Sequence, residues 1–127
     1  MFRHTGGFST FSVDDVPRAK QFYGGSLGLS VADEMDGLRL DLGDGVQVFV
    51  YPKADHVPAT FTVLNFVVED IDVAVAELGA VGVEFEQYDM PGVSWSDGIA
   101  SIPTMGRAAW FKDSEGNIMC LDDAAGM

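Results

Sequence analysis

The sequence predicts an α+β fold in which two β-α-β-β-β modules form curved mixed sheets around a cavity. The first observation is an internal repeat, because a shift of 55 residues places the segment from Ser12 over the segment from Val67. The second is that the same patterns follow in both halves: an apolar strand, an Asp-capped helix and several short strands. A repeated unit constrains the architecture more strongly than local propensity does. With 127 residues and 13.6 kDa, the chain has the size of one domain.

The first module is predicted to span residues 8–54. It begins with an apolar strand at 8–13 and continues with a helix from Val16. Asp15 precedes this helix and can accept hydrogen bonds from its exposed backbone N–H groups. Apolar residues at helical spacing give the helix one stripe that faces a core, and glycines end it. Three strands are predicted to follow, at 29–35, 38–42 and 46–51, with a hairpin turn between the last two.

A linker at 55–60 leads to the second module, which is predicted to span residues 61–123. Its first strand lies at 61–68, and its helix is capped by Asp70. The later strands are predicted at 83–89, 107–112 and 118–122. The insertion at 90–106 has no counterpart in the first module. It is either an ordinary surface loop or an aromatic lid over a pocket, the latter because it contains Trp95.

Charge and composition exclude several classes of partner. The chain has 20 acidic and 7 basic residues, for a formal net charge of -13. Nucleic acids and anionic membrane surfaces would repel such a protein, so neither is expected as a partner. No apolar stretch approaches the roughly 20 residues that span a bilayer, and the first residues lack the hydrophobic region of a secretory signal. A single cysteine, Cys120, excludes an intramolecular disulfide, and together these features favour a cytoplasmic protein.

Four short motifs support a resemblance to a known family: Val13-Asp-Asp-Val16, Phe22-Tyr23, Leu27-Gly28 and Trp110-Phe-Lys-Asp-Ser-Glu-Gly-Asn117. With the two-module pattern, they resemble the vicinal oxygen chelate superfamily, which includes glyoxalase I, bleomycin-resistance proteins, extradiol dioxygenases and fosfomycin-resistance enzymes. The resemblance covers residues from about 8 to 123. It implies sheets whose concave faces enclose a cavity, with the helices outside. It also implies that modules pair within one chain or across the two chains of a homodimer.

In metal-dependent members, the resemblance implies four ligands, one from the first and one from the last strand of each module. Carried over by motif, these positions hold Phe8, Val63, Cys120, and either Phe49 or Val48. Only the thiol can bind a metal, and a single thiol cannot hold an ion that polarises a substrate. The histidines, His4 and His56, lie elsewhere and are interpreted as exposed linker residues. We therefore predict no metal at the usual site and no cofactor, with a site built from carboxylates elsewhere as an alternative.

Strand alternation predicts which side chains face the cavity. Aromatic and apolar walls with a few placed polar groups are typical of a small-molecule pocket. The predicted ligand-binding residues are Phe8, Thr10, Ser12, Arg39, Asp41, Gln47, Phe49, Tyr51, Phe61, Val63, Asn65, Trp95, Trp110, Cys120 and Asp122. The alternative is that the aromatic residues simply fill a small core.

Two of these residues have competing interpretations. Cys120 could be a nucleophile, but neither adjacent predicted strand contains a histidine that would activate it, so we favour a buried structural thiol. Arg39 could bind a carboxylate or phosphate group of a ligand through its guanidinium group. It could equally pair with Asp41 or another nearby carboxylate.

The sequence therefore predicts a metal-independent binding protein of the glyoxalase/bleomycin-resistance type. It is expected to be a homodimer or a pair of modules within one chain, and to sequester an aromatic or cationic small molecule; no catalytic residue is assigned. The main alternative is an enzyme, either a glyoxalase-like lyase or isomerase or a dioxygenase with an unconventional metal site. A third interpretation is a regulatory or scaffolding domain with a vestigial pocket.

Overall fold

The computed structural model describes residues 1–123, so the last four residues of the predicted 1–127 domain lie outside the description. The chain divides into two compact units, one ending at Pro58 and one beginning at Ala59. Each unit contains one mixed sheet and one α-helix. The predicted α+β class, with a sheet from each half of the chain, is confirmed.

The first unit contains four strands and one α-helix. In chain order they are β1 (Ser9–Val13), α1 (Val16–Lys20), β2 (Ser30–Glu34), β3 (Gly37–Gly43) and β4 (Val46–Pro52). The sheet order is β1-β4-β3-β2, with β1 parallel to β4 and the other pairs antiparallel. The four strands agree with the predicted ones to within one residue at each end.

The first helix begins where the sequence predicts. An oxygen of the Asp15 carboxylate accepts a hydrogen bond from the backbone N–H of Arg18 at 2.9 Å. After Lys20 the helix widens into a π-helical segment at Gln21–Ser26, and the backbone N–H of Leu27 bonds to the carbonyl of Phe22 at 2.9 Å. A π-helical turn inside a helix was not expected from the spacing of the apolar residues.

The core of the first unit lies on one face of its sheet. Along β3, Leu38 and Leu40 are buried, whereas the residues that follow each of them, Arg39 and Asp41, are only half-buried. This alternation follows from the geometry of a strand, in which successive side chains point to opposite faces. The fully buried residues of this core include Val13, Ala19, Tyr23, Leu38, Leu40 and Val50.

In residues 59–123, the described part of the second unit, there are six strands and one α-helix. They are β5 (Thr62–Val67), α2 (Ile71–Ala80), β6 (Phe85–Glu86), β7 (Ser94–Ser96), β8 (Ile99–Ile102), β9 (Gly106–Lys112) and β10 (Ile118–Asp122). The sheet order is β5-β10-β9-β8-β7, and β6 also pairs with β9. The carboxylate of Asp70 caps α2 by accepting from the backbone N–H of Val73 at 3.2 Å. No helix in residues 1–123 has both the length and the apolar character needed to cross a membrane.

The insertion at 90–106 is not a plain loop. It contains the hairpin β7–β8, and β8 pairs with the first half of β9, with Ala100 opposite Ala108. The short β6 pairs with the second half of β9, with Phe85 opposite Phe111. The strand predicted at 83–89 is therefore replaced by two shorter strands, β6 and β8, which pair with different halves of β9. A four-residue strand next to glycine and proline turn signals is too short to be recognised by its pattern.

Candidate ligand-binding site

The first sheet places several predicted site residues on the face opposite the buried leucines. Phe49 in β4 lies opposite Thr10 on one side and Arg39 on the other, so these three side chains form a row across the sheet. Neighbouring rows pair Ser12 with Tyr51 and Asp41 with Gln47. The rings of Phe49 and Tyr51 stack with centroids 6.4 Å apart. Phe8 precedes β1, and 70% of its surface is exposed.

Arg39 is held between two carboxylates. Its Nη1 donates to Glu34 Oε1 at 3.2 Å, and its Nε lies 3.6 Å from Asp41 Oδ1. The second distance is an ion pair without a hydrogen bond, and the buried Nε has no hydrogen-bond partner within residues 1–123. The structure therefore supports the interpretation in which Arg39 pairs with local carboxylates.

The two histidines differ in their surroundings. His4 is exposed and stacks on Phe2 with ring centroids 5.6 Å apart. His56 is half-buried, and its Nδ1 lies 2.7 Å from the hydroxyl oxygen of Ser12. The interpretation of His56 as an exposed linker residue is therefore wrong, because this hydrogen bond holds the linker against the end of β1.

In the second unit, Cys120 lies in the middle of the face opposite the core. It is opposite Asn65 in β5 and Trp110 in β9. One residue earlier in β10, Met119 pairs with Phe111, and both side chains are fully buried on the other face. Asp122, at the end of β10, is opposite Ala108 and Val67.

A register shift changes the start of this face. Ile118 is opposite Thr62, but its neighbour Met119 is opposite Leu64, so Val63 is an extra residue in β5. Because a bulge changes the alternation by one residue, Thr62 lies on the same face as Trp110. The indole Nε1 of Trp110 donates to Thr62 Oγ1 at 3.1 Å. Strict alternation predicts Phe61 and Val63 on this face and misses Thr62.

Three aromatic side chains meet on the same face. The ring of Tyr88 is edge-on to Trp110 with centroids 5.8 Å apart, and Trp95 from β7 lies 6.0 Å from Trp110. Trp95 and Trp110 are predicted site residues, whereas Tyr88 was missed because no site residue was assigned from the strand predicted at 83–89. We call Tyr88, Trp95 and Trp110 the aromatic cluster.

Two hollows adjoin the aromatic cluster, and both are within the second unit. One has a volume of about 210 Å³ and is lined by Thr60, Phe61, Thr62, Tyr88, Met90, Trp110 and Ile118. The other has a volume of about 460 Å³ and is lined by Gln87, Tyr88, Asp89, Met90, Val93 and Trp95. Tyr88 and Met90 line both, so they form the wall between the two hollows.

Burial controls the titration of two groups near the aromatic cluster. It raises the pKa of the Cys120 thiol to about 12, with the charge of Asp122 acting in the same direction. The thiol donates to the carbonyl of Leu121 at 3.3 Å. Burial, with Glu86 and Cys120 nearby, also raises the pKa of the Tyr88 hydroxyl. Both groups keep their protons at neutral pH, so Cys120 has the properties of a structural thiol rather than of a nucleophile.

The residues at the positions that the resemblance assigns to metal ligands do not fit a metal ion. Phe8, Val63 and either Phe49 or Val48 have no donor atom in their side chains, and Cys120 is a neutral thiol at physiological pH. Metal binding requires a deprotonated thiol and further ligands. Elsewhere in the described part of the chain, no three His, Cys, Asp or Glu side chains are grouped closely enough to hold an ion.

Comparisons with known proteins agree with this fold. The model of the Glyoxalase/Bleomycin resistance protein/Dioxygenase superfamily matches residues 3–121. A search of curated proteins finds no match. Solved structures do match: TnmS3, an antibiotic binding protein from Streptomyces sp. CB03234, has a TM-score of 0.65 at 22% identity and covers 95% of this chain and 98% of its own.

Two further solved structures have similar scores. A glyoxalase family protein from Enterococcus faecalis has a TM-score of 0.67 at 21% identity, with coverage of 96% of this chain and 99% of its own. A lactoylglutathione lyase from Agrobacterium tumefaciens has a TM-score of 0.67 at 15% identity, with coverage of 94% and 93%. At these identities the similarity shows the shared fold.

Proposed function

The chain belongs to the Glyoxalase/Bleomycin resistance protein/Dioxygenase superfamily, and from this starting point we propose that it is a metal-independent binding protein that sequesters an aromatic or cationic small molecule. The observation that carries the proposal is the hollow of about 210 Å³ beside Trp110. Phe61, Tyr88 and Trp110 supply flat apolar walls, and hydroxyl groups lie among them. Such walls provide binding area, while the few polar groups orient a ligand.

Two further observations favour binding over catalysis. Apart from the protonated thiol of Cys120, the positions of the usual ligand set have no donor atoms, so the Lewis-acid chemistry of metal-dependent members has no support at that site. In addition, the antibiotic binding protein TnmS3 shares the fold, and we propose a comparable role for this chain.

We propose that, in each unit taken by itself, the residues that contact a ligand lie on the face of its sheet opposite its core. The aromatic cluster and its hollow form the main part of the site in the second unit. The other residues that we propose for ligand binding are Phe8, Thr10, Ser12, Arg39, Asp41, Gln47, Phe49, Tyr51, Phe61, Val63, Asn65, Cys120 and Asp122.

A thermal-shift screen with planar aromatic compounds, both neutral and cationic, tests the proposal. Binding to the folded state must raise the melting temperature, and a ligand at about 100 times its Kd stabilises by about 2.7 kcal/mol. Phe61 lines the hollow and Phe2 does not, yet both rings are largely exposed, at 66% and 75%. We expect Phe61→Ala to reduce the ligand-induced rise in melting temperature and Phe2→Ala to preserve it. A screen with no stabilising compound, or equal shifts in the two variants, would overturn the proposal.

Metal analysis tests the metal-independent part separately. Protein purified without chelator is expected to contain much less than one equivalent of any transition metal. One equivalent of zinc, nickel, iron or manganese, with a melting temperature that falls when the metal is removed, would instead support the enzyme alternative.

We also propose that the chain forms a homodimer in the cytoplasm. Phe8, which precedes β1, and Val67, the last residue of β5, are large apolar side chains that are 70% and 72% exposed, and a dimer interface would cover such side chains. The lone cysteine agrees with a reducing compartment. Sedimentation velocity should give a mass twice that of the 13.6 kDa chain, and a monomer at all concentrations would contradict the dimer. Fractionation of the source cells tests the location.

A further inference from the structure

Tyr88 occupies a central position in the aromatic cluster. It lines both hollows, and the edge of its ring packs against Trp110 at a centroid distance of 5.8 Å. The side chain therefore touches any molecule that enters either hollow deeply enough to reach its ring. None of the four positions carried over from the family resemblance corresponds to this residue.

The hydroxyl group of Tyr88 is buried and has no hydrogen-bond partner within residues 1–123. Buried polar groups almost always have partners, so an unpaired hydroxyl on a residue that lines two hollows needs a physical explanation. The only other buried side-chain N or O atom without a partner in this part of the chain is Arg39 Nε, which has the carboxylate of Asp41 at 3.6 Å.

The chemistry of this hydroxyl is that of a donor. Its pKa is raised by burial and by the nearby Glu86 and Cys120, so it keeps its proton through the physiological range. The neighbouring indole N–H of Trp110 is already donated to Thr62 Oγ1 at 3.1 Å. Once ligand entry moves the side chains that cover the hydroxyl, an acceptor atom at the rim of an aromatic ligand would give it the partner that the protein does not supply.

We infer that Tyr88 is a specificity-determining residue that selects planar aromatic ligands carrying an uncharged hydrogen-bond acceptor, such as a ring nitrogen or a carbonyl oxygen. The stacked rings bind the flat surface of the ligand, and the Tyr88 hydroxyl distinguishes an acceptor-bearing ligand from a plain hydrocarbon. This inference rests on the proposed binding function and adds a ligand class to it.

Naphthalene, quinoline and isoquinoline are suitable probes, because the three molecules have the same shape and the latter two replace one C–H by a nitrogen acceptor. At pH 8 both nitrogen compounds are uncharged. Trp95 and Trp110 are the only tryptophans in the chain, so the two indole N–H signals in a ¹H–¹⁵N spectrum report directly on the aromatic cluster. Titrations followed by these signals give a Kd for each probe in the wild-type protein and in Tyr88→Phe.

In the wild-type protein we expect at least one of the two nitrogen compounds to bind about fivefold more tightly than naphthalene, the value of one neutral hydrogen bond. In Tyr88→Phe this preference should disappear, while the Kd for naphthalene stays the same because the ring remains. The variant should also keep or raise the melting temperature, since it removes an unpaired buried hydroxyl.

The outcomes separate the inference from the proposed function. If all three probes bind to the cluster but Tyr88→Phe leaves their relative affinities unchanged, the inference is overturned and the binding function stands. If no probe shifts either indole signal, both are overturned. A variant that is strongly destabilised would show that the hydroxyl has a structural partner, which also contradicts the inference.

Discussion

Cys120 shows how the surroundings of one residue decide its chemistry. By residue type it is the only thiol in the chain and the only side chain with ligating ability at the positions carried over from the family. In the structure it is 2% exposed, it lies between Asn65 and Trp110, and its pKa is raised to about 12. Burial thus removes both the nucleophilic and the ligating form of the side chain.

This environment predicts a slow reaction of Cys120 with iodoacetamide. At pH 8, raising the thiol pKa from 9.0 to about 12 lowers the thiolate fraction by roughly 1000-fold. We expect alkylation of the folded protein to be at least about 100-fold slower than alkylation in urea, as measured by mass spectrometry. Because the chain has one cysteine, each added mass reports this residue alone. Similar rates in the folded and unfolded protein would contradict a buried neutral thiol.

Residue positions on the two faces could be predicted wherever strand alternation is regular. The row of Thr10, Phe49 and Arg39 follows from alternation and from pairing of the strands. Thr62 was missed because one extra residue in β5 changes the phase of the alternation, and nothing in the apolar run from Phe61 marks that bulge. Tyr88 was missed because no site residue was assigned from the strand predicted at 83–89, of which only Phe85 and Glu86 form a strand.

At the scale of elements, the turn between β9 and β10 is held by one side chain. Asp113 is only 6% exposed, and its Oδ1 accepts from the backbone N–H groups of Glu115 and Asn117, each at 2.8 Å. Its Oδ2 accepts from the side-chain amide of Asn117 at 3.0 Å. These three hydrogen bonds stabilise the hairpin that positions Trp110 and Cys120 on neighbouring strands.

Asp113→Ala should therefore destabilise the protein by about 2–4 kcal/mol, because it leaves buried N–H groups without an acceptor. The matched control is Asp44→Asn in the turn between β3 and β4. Asp44 is exposed and has a φ of 51°, a conformation that asparagine adopts readily. Urea unfolding should show a change within about 0.5 kcal/mol for this control. Equal effects of the two substitutions would show that the carboxylate of Asp113 does not hold its turn.

Substitution of alanine for two glycines, Gly37 and Gly79, is predicted to change the stability in opposite directions. At Gly37, the first residue of β3, an added Cβ would lie 2.1 Å from the carbonyl oxygen of Val50, so Gly37→Ala should cost about 3 kcal/mol. At Gly79 in α2, no heavy atom lies within 4 Å of that position. Gly79→Ala should therefore stabilise the protein by about 0.5–1 kcal/mol through lower backbone entropy in the unfolded chain. Urea unfolding of both variants checks the signs, and a tolerated Gly37→Ala would contradict this close approach of β3 and β4.

The elements that could be predicted are those with a local physical signal. The caps Asp15 and Asp70, the paired strands of the first unit and the strand β10 have such signals, and the structure confirms them. The hairpin β7–β8 has none, because its two strands have only three and four residues. Its pairing depends on β9, which is further along the chain, and a local pattern cannot report such a contact.

At the scale of the whole molecule, the negative charge is unevenly distributed. Residues 59–127 contain 12 of the 20 acidic residues and 2 of the 7 basic ones. Both of these basic residues are paired, Arg107 with Asp72 at 2.9 Å and Lys112 with Glu86 at 3.6 Å. The aromatic cluster and its two hollows therefore lie in the more acidic unit, and the surrounding field favours a cation.

This field predicts a salt-dependent preference for cationic aromatic ligands. N-methylquinolinium resembles naphthalene in shape and carries one positive charge, so a comparison of the two isolates the electrostatic contribution. In 10 mM NaCl, where charges interact over about 30 Å, the cation should bind several-fold more tightly than naphthalene. In 1 M NaCl that distance falls to about 3 Å, and most of the advantage should be lost. The Kd values come from the indole signals of Trp95 and Trp110. Salt strengthens apolar burial for both probes, so only the ratio of the two Kd values is diagnostic. A ratio that does not change with salt would show that the acidic unit contributes nothing to ligand choice.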